Sequence, residues 1–323
     1  MTGSDYIIKR TAFAVVTVFV AITLNFIIFR AAPGDAVTGE RCRNCTKEFK
    51  ANLRKELGLD KSKWEQYVIY IKQLAHGDLG YSFEDKQPVA PQLWGPLKNT
   101  LPMLALGTAF SIVFGILTGV VAAWRRGTFW DRSSVLVGLG FYSLPTQWLG
   151  LMLIFFVAPM LSLPSSGISD PFLEFTDPGW WPALVDRLKH MVLPSATIGL
   201  VIYGEYTLIV RSAMLETLGE DYILTARAKG LATWTIVRKH ALRNSMLPIT
   251  TLIFLSLGYI VGGAILIESV FNYPGIGLLT YDAVFAKDYP IMQGAFLVLT
   301  VSVIFANYVA DLLYFRLDPR ITE

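Results

Sequence analysis

The sequence predicts an all-α integral membrane protein of about six transmembrane helices, with both termini in the cytoplasm. Three observations carry that expectation. Charged residues make up only 16% of the chain and hydrophobic ones 53%, whereas soluble domains carry roughly 25% charged residues. The charges are swept into blocks, which leaves long apolar stretches between them. Lysine and arginine also concentrate on one side of those stretches. The mean hydropathy of +0.48 agrees with this reading, because an ionisable group at mid-bilayer costs at least about 2.5 kcal/mol.

The first stretch, Thr11–Phe29, follows Lys9 and Arg10 and ends in the bulky Phe26-Ile27-Ile28-Phe29. A cleaved signal core is shorter and ends in small residues, so a retained span is expected within a segment 1–30. The others run over Asn99–Trp124, Ser133–Pro159, Val192–Val210, Ser245–Ile267 and Tyr289–Ala310. Each matches the ~20 helical residues that cross about 30 Å of hydrocarbon. Backbone groups in lipid must pair internally, and no period-two alternation suggests a barrel.

An inside N-terminus puts thirteen basic residues on the cytoplasmic side, among them Lys9, Arg10, Arg125, Arg126, Arg211, Arg227, Lys229 and Arg316. The short outer loops hold three, Arg187, Lys189 and Lys287. That bias fixes the orientation. The core then covers 99–315, with an outer loop at 160–191, a cytoplasmic loop at 211–244 and a tail at 316–323.

The first outer loop, 31–98, has the marks of folded structure. Phe49, Leu53 and Leu57 share a helical face, with Gly58 placed to stop the helix. Ser62-Lys63-Trp64-Glu65 has capping-box form, Tyr67, Ile71 and Leu74 follow on one face, and Gly77 marks the end. Cys42 and Cys45 suit a local disulfide or two free thiols; no second cysteine pair or nearby histidine supports a metal. Trp180-Trp181 suits an interfacial anchor or a contact with a docked protein.

The loop between spans four and five is the most informative. Asp221 is placed as the N-cap of a short helix that Gly230 ends. Ala226 and Ala228 leave room for a partner to approach, and Arg227 and Lys229 offer ionic contacts. An ordinary basic cytoplasmic loop would share those features. Within span four, Glu205 lies between Tyr203 and Tyr206 and is a functional candidate by position, with a structural hydrogen bond or a position near the inner membrane boundary as the alternatives. Gly115 and Gly119, and Gly258, Gly262 and Gly263 around Tyr259, carry the spacing of close-packed helices, with contact inside one chain favoured over contact with a partner.

The segment Asp221-Tyr222, Thr225-Ala226-Arg227-Ala228-Lys229-Gly230 and Lys239-His240-Ala241-Leu242-Arg243-Asn244 resembles the coupling loop of permease subunits in binding-protein-dependent ATP-binding-cassette importers. It departs from their general Glu-Ala-Ala-x3-Gly pattern and is similar to the dipeptide/oligopeptide branch. Further matches include Ala32-Pro33-Gly34-Asp35, Gly77-Asp78-Leu79-Gly80, His190-Met191-Val192-Leu193-Pro194 and Glu268-Ser269-Val270-Phe271-Asn272-Tyr273-Pro274-Gly275. The resemblance covers nearly the whole chain and points to the subunit with the long first outer loop.

That resemblance implies a type I importer permease fold in a prokaryotic plasma membrane. It also implies a second similar permease, two cytosolic ATPase subunits gripping Asp221–Gly230, an external binding protein, and a path lined in part by span five, for which Tyr259, Gly262 and Gly263 are the candidates together with Tyr203 and Glu205 of span four. Peptide is the implied cargo, with nickel complexes, glutathione and oligosaccharides open. No Gly-x4-Gly-Lys-Ser/Thr loop occurs, so ATP and magnesium are expected on the partner subunits. The three histidines form no nucleophile motif, which disfavours an enzyme, and the modest net charge of +3 gives no sign of a nucleic-acid partner. A gradient-driven carrier is the rival; it would need no cytoplasmic handle and would place coupling carboxylates at mid-membrane.

Overall fold

A computed structural model describes residues 3–31, 46–56, 61–176 and 179–317. Cys42, Cys45 and Gly58 lie outside them. Among the described residues the regular structure is helical, with one isolated bridge between Tyr81 and Pro88. Among the described residues, four helices are long and apolar enough to cross a membrane: α1 (Gly3–Ala31), α4 (Val89–Trp124), α9 (Trp180–Leu218) and α14 (Tyr289–Leu317). The 28 residues of α12 (Arg243–Val270) also exceed the ~20 a crossing requires. Tyr259, Gly262 and Gly263 fall in α12, where only their helical backbone is described.

The third expected span is not one rod. It breaks into α5 (Phe129–Ser143) and a second run, α6 (Thr146–Met152) with α7 (Ala158–Leu161) beyond a π-helical Leu153–Val157. The two parts bend by 107°. Pro145 explains the break: the residue before a proline is pushed out of helical geometry, and Leu144 is extended with ψ 137°.

The chain divides into two compact units. In the first, comprising residues 1–100 and 274–312, α1 runs antiparallel to α14. Thr11 and Tyr308 share a hydrogen bond at one end and Asn25 Nδ2 donates to the Gln293 carbonyl at the other. Phe13, Val16, Val20, Leu24 and Ile27 leave the opposite face of α1 exposed and apolar, as contact with lipid requires. The outer loop packs on this pair. After α2 (Lys47–Glu56), Ser62 and Glu65 form the expected capping box at the start of α3 (Lys63–Ala75). The buried centre of α3 is Gln66 and Tyr70, one position off the anticipated Tyr67-Ile71-Leu74 face, whose members are half-buried. Tyr70 donates to Asn25, and Tyr67 meets Thr23 and the edge of Phe26. Buried Asp288, between α13 (Ile276–Ala286) and α14, caps α14 and accepts hydrogen bonds from Ser82 and from the amides of Phe83 and Glu84.

The second unit, residues 101–273 with 313–318, is organised around α9. This helix is longer at both ends than the predicted span, beginning at Trp180 in the outer loop after α8 (Pro171–Thr176). Small residues set its packing distances. A Cβ on Gly204 would stand 2.0 Å from the Gly138 carbonyl oxygen of α5. On α4, a Cβ on Gly115 would stand 2.4 Å from the Tyr206 Cβ, and one on Gly119 2.7 Å from that of Val210. The Gly115–Gly119 spacing thus serves contact within the chain. Thr118 and Thr207 join α4 to α9 by a 2.9 Å hydrogen bond, and Ser195 donates to the Met103 carbonyl.

Gly204→Ala should therefore force α5 off α9, with a loss of about 1–3 kcal/mol from overpacking. Gly140→Ala, where a Cβ meets nothing within 4 Å, should leave the melting temperature of detergent-solubilised protein unchanged. Equal melting of the two variants would contradict this packing.

Candidate coupling element at the cytoplasmic end

After α9 the chain turns through Gly219 and Glu220 into α10 (Asp221–Ala228). The N-cap is Glu220 rather than Asp221, and no side chain caps the helix. Asp221 instead occupies the first turn, where its carboxylate complements the positive end of the helix dipole. The other end is a Schellman closure: the Gly230 amide donates to the Arg227 carbonyl at 2.9 Å and the Leu231 amide to that of Ala226 at 3.3 Å. Gly230 adopts φ +73°, a conformation that suits glycine. The expected stop is where the sequence put it.

One face of α10 is built into the protein. Ile223 and Ala226, three residues apart, are buried against Val120 and Ala123 of α4 and Val210 and Met214 of α9. Ile236, Val237 and Ala241 close the same core from the next segment, together with Ile249 of α12. Ala226 therefore does not present its small side chain to a partner; it lets α10 sit close to its own chain. Asn244 of α12 donates to the Tyr222 hydroxyl at 2.9 Å. After the single-turn α11 (Thr233–Thr235), a π-helical stretch over Ile236–Leu242 carries the chain into α12. The element is thus fixed to α9 through the Gly219-Glu220 link and to α12 by packing.

The other face is open. Asp221, Thr225, Arg227, Ala228, Lys229 and Gly230 are exposed. Leu224, Leu231 and Trp234 join them, with Trp234 68% accessible. This face thus sets apolar side chains among charges. Spacing in the sequence pointed to the charges and missed Leu224, Leu231 and Trp234; a tryptophan in a basic cytoplasmic loop was the available signal.

Near the same membrane boundary, Asp131 of α5 accepts both Arg211 Nε at 2.6 Å and Arg211 Nη2 at 3.0 Å, and the Gly127 amide at 2.8 Å. This two-pronged pair fixes α5 to α9 just before α10 begins. It was not anticipated, because Asp131 and Arg211 lie 80 residues apart. Earlier along α9, Tyr203 is buried, whereas Glu205 is half-buried. Glu205 makes no hydrogen bond or ion pair among the described residues.

Residues 115–323 match the family described as "Binding-protein-dependent transport system inner membrane component", and residues 4–104 match its N-terminal family. The dipeptide transport system permease protein DppB of Escherichia coli (strain K12) is 39% identical, over 98% of each chain. The di/tripeptide permease protein of Pseudomonas aeruginosa is 36% identical over the same shares. The glutathione permease protein GsiC of Escherichia coli O6:H1 is 32% identical, again over 98% of both. Among solved structures, an inward-facing form of the MetNI methionine ABC transporter superposes with a TM-score of 0.56 at 20% identity, covering 70% of this chain and 96% of that one. This likeness bears on the fold alone.

Which face of α10 points inward is open to direct test. Ile223→Ala should cost about 2–5 kcal/mol through the cavity it leaves, lowering the melting temperature clearly. Leu224→Ala, on the exposed face, should not. The reverse order would turn the helix over.

Proposed function

The chain belongs to the family of binding-protein-dependent transport system inner membrane components, and on that premise we propose that it conducts short peptides across the membrane with a second, similar permease. As a family member it is a multi-pass protein of the bacterial inner membrane. Two cytosolic ATPase subunits drive it through α10, and an external binding protein delivers the cargo. ATP and magnesium are held by the ATPase subunits and not by this chain.

The observation that carries the coupling role is the two-sided build of α10. Its inner face shares one core with α4, α9 and α12, so force applied from the cytosol moves those helices as a body. Its outer face sets Leu224, Leu231 and Trp234 beside Arg227 and Lys229, the mixture of apolar anchor and charge found at protein interfaces. Motion of this kind is rigid-body switching between inward and outward access, and it calls for no chemistry in this subunit. The peptide cargo rests on the relatives whose names specify dipeptides or di- and tripeptides. The glutathione relative supports a second reading, in which the cargo is that modified tripeptide.

The test is uptake of labelled dipeptide by vesicles carrying the complete transporter and its binding protein. Uptake should require ATP. Gly230→Glu, which adds left-handed strain and a carboxylate between Lys229 and Leu231, should abolish it. Gly230→Ala, with only about 1 kcal/mol of backbone strain, should reduce it. Normal ATP-driven uptake by Gly230→Glu would refute the coupling role, and uptake driven by an ion gradient without ATP would point to a secondary carrier.

A further inference from the structure

We propose that the inner half of α9 presents a water-facing stripe to the translocation path, in which Glu205 receives the cationic amino terminus of the passing peptide. Along α9, positions 201, 205, 208, 209, 212 and 216 fall within a narrow arc at 100° per residue. They form the middle of the less buried half of this stretch: Val201, Glu205, Leu208 and Ile209 are half-buried, Ser212 and Glu216 are exposed, and Ile202, Arg211, Ala213 and Leu215 flank them half-buried, while Tyr203, Tyr206, Val210, Met214 and Thr217 opposite are buried. Ile198, one turn farther out on the same line, is 5% exposed. The stripe is therefore closed at its outer end and open toward the cytoplasm.

Lipid does not suit this face. Glu205 lies six residues outward of Arg211, about 9 Å along the axis, inside the apolar stretch Val192–Val210 that the sequence assigns to the bilayer. A carboxylate at that depth stands against a bundle interior or water, since contact with hydrocarbon is costly. The protein supplies its own comparison in α1, whose exposed face from Phe13 to Ile27 carries no charge. Nor does the chain neutralise Glu205, which has no ion-pair or hydrogen-bond partner among the described residues. Tyr203, Tyr206 and Thr207 beside it are buried and turned into the packed helices. A counter-charge for the carboxylate therefore comes from outside this chain. The free ammonium that every unmodified peptide carries meets that requirement, in the part that rests on the peptide reading above.

The experiment uses the complete transporter in inside-out vesicles, with Cys42→Ser and Cys45→Ser as background. Val201→Cys and Ser212→Cys, one and two turns from Glu205, are treated with cationic and anionic methanethiosulfonate reagents. Both should react, the cationic one several-fold faster, and Glu205→Gln should bring the two rates together. In right-side-out vesicles supplied with binding protein outside and ATP inside, uptake of glycyl-leucine should fall about tenfold in Glu205→Gln, the order expected from one hydrogen bond to a charged group. Glu205→Asp should recover most of it, at unchanged expression. Failure of both cysteines to react would place the stripe against lipid or protein and overturn the inference. A rate ratio indifferent to Glu205, or full uptake by Glu205→Gln, would overturn the charge role. If the wild type takes up no glycyl-leucine, the peptide reading and the ammonium fall together, and the reagent ratio alone decides whether the stripe lines a charged path.

Discussion

Gly204 lacks a side chain at a point where a Cβ would stand 2.0 Å from the Gly138 carbonyl oxygen, and much of the second unit follows from that approach. Inside a membrane there is no hydrophobic drive between helices, so association rests on close backbone contact and on hydrogen bonds between them. The α9 helix collects both. Gly115 and Gly119 bring α4 against it, Gly138 brings α5, and the Thr118–Thr207 bond and the Asp131–Arg211 pair fix the register. The result is a packed post that reaches from the outer loop at Trp180 to the cytoplasmic end at Leu218.

A post of this kind makes α10 useful. A short helix of eight residues has little stability of its own, and α10 is held by burial of Ile223 and Ala226 together with the closure at Gly230. Its exposed face carries none of that burden and is free to be shaped for a partner. On the proposed reading this division of labour separates the motor from the path. The cytosolic subunits supply the energy, and this chain converts displacement of one helix into displacement of α4, α9 and α12.

The parts of the fold legible in the sequence were those set by local rules. Membrane spans follow from runs of apolar residues, the Ser62–Glu65 cap from a four-residue pattern, and the end of α10 from a glycine that tolerates positive φ. Other features depend on what a residue meets in space. Ala226 read as an opening for a partner and proved to be the inner face of its helix, because α10 turns Ile223 and Ala226 together toward α9. The 107° bend lay inside an apolar stretch whose composition still spans the membrane. Pro145 signalled it, but length and hydropathy alone do not distinguish a straight span from a broken one. The Asp131–Arg211 pair leaves no local trace at all.

The central claim is that α10 is grasped from the cytosol by a separate ATPase. Site-specific cross-linking tests it directly. With Lys229→Cys in a chain carrying Cys42→Ser and Cys45→Ser, a short thiol-directed cross-linker applied to the assembled transporter should join this subunit to an ATPase subunit. The yield should change when nucleotide is bound. Absence of any ATPase adduct in a transporter that still takes up cargo, or modification of that cysteine only from outside the cell, would contradict the account.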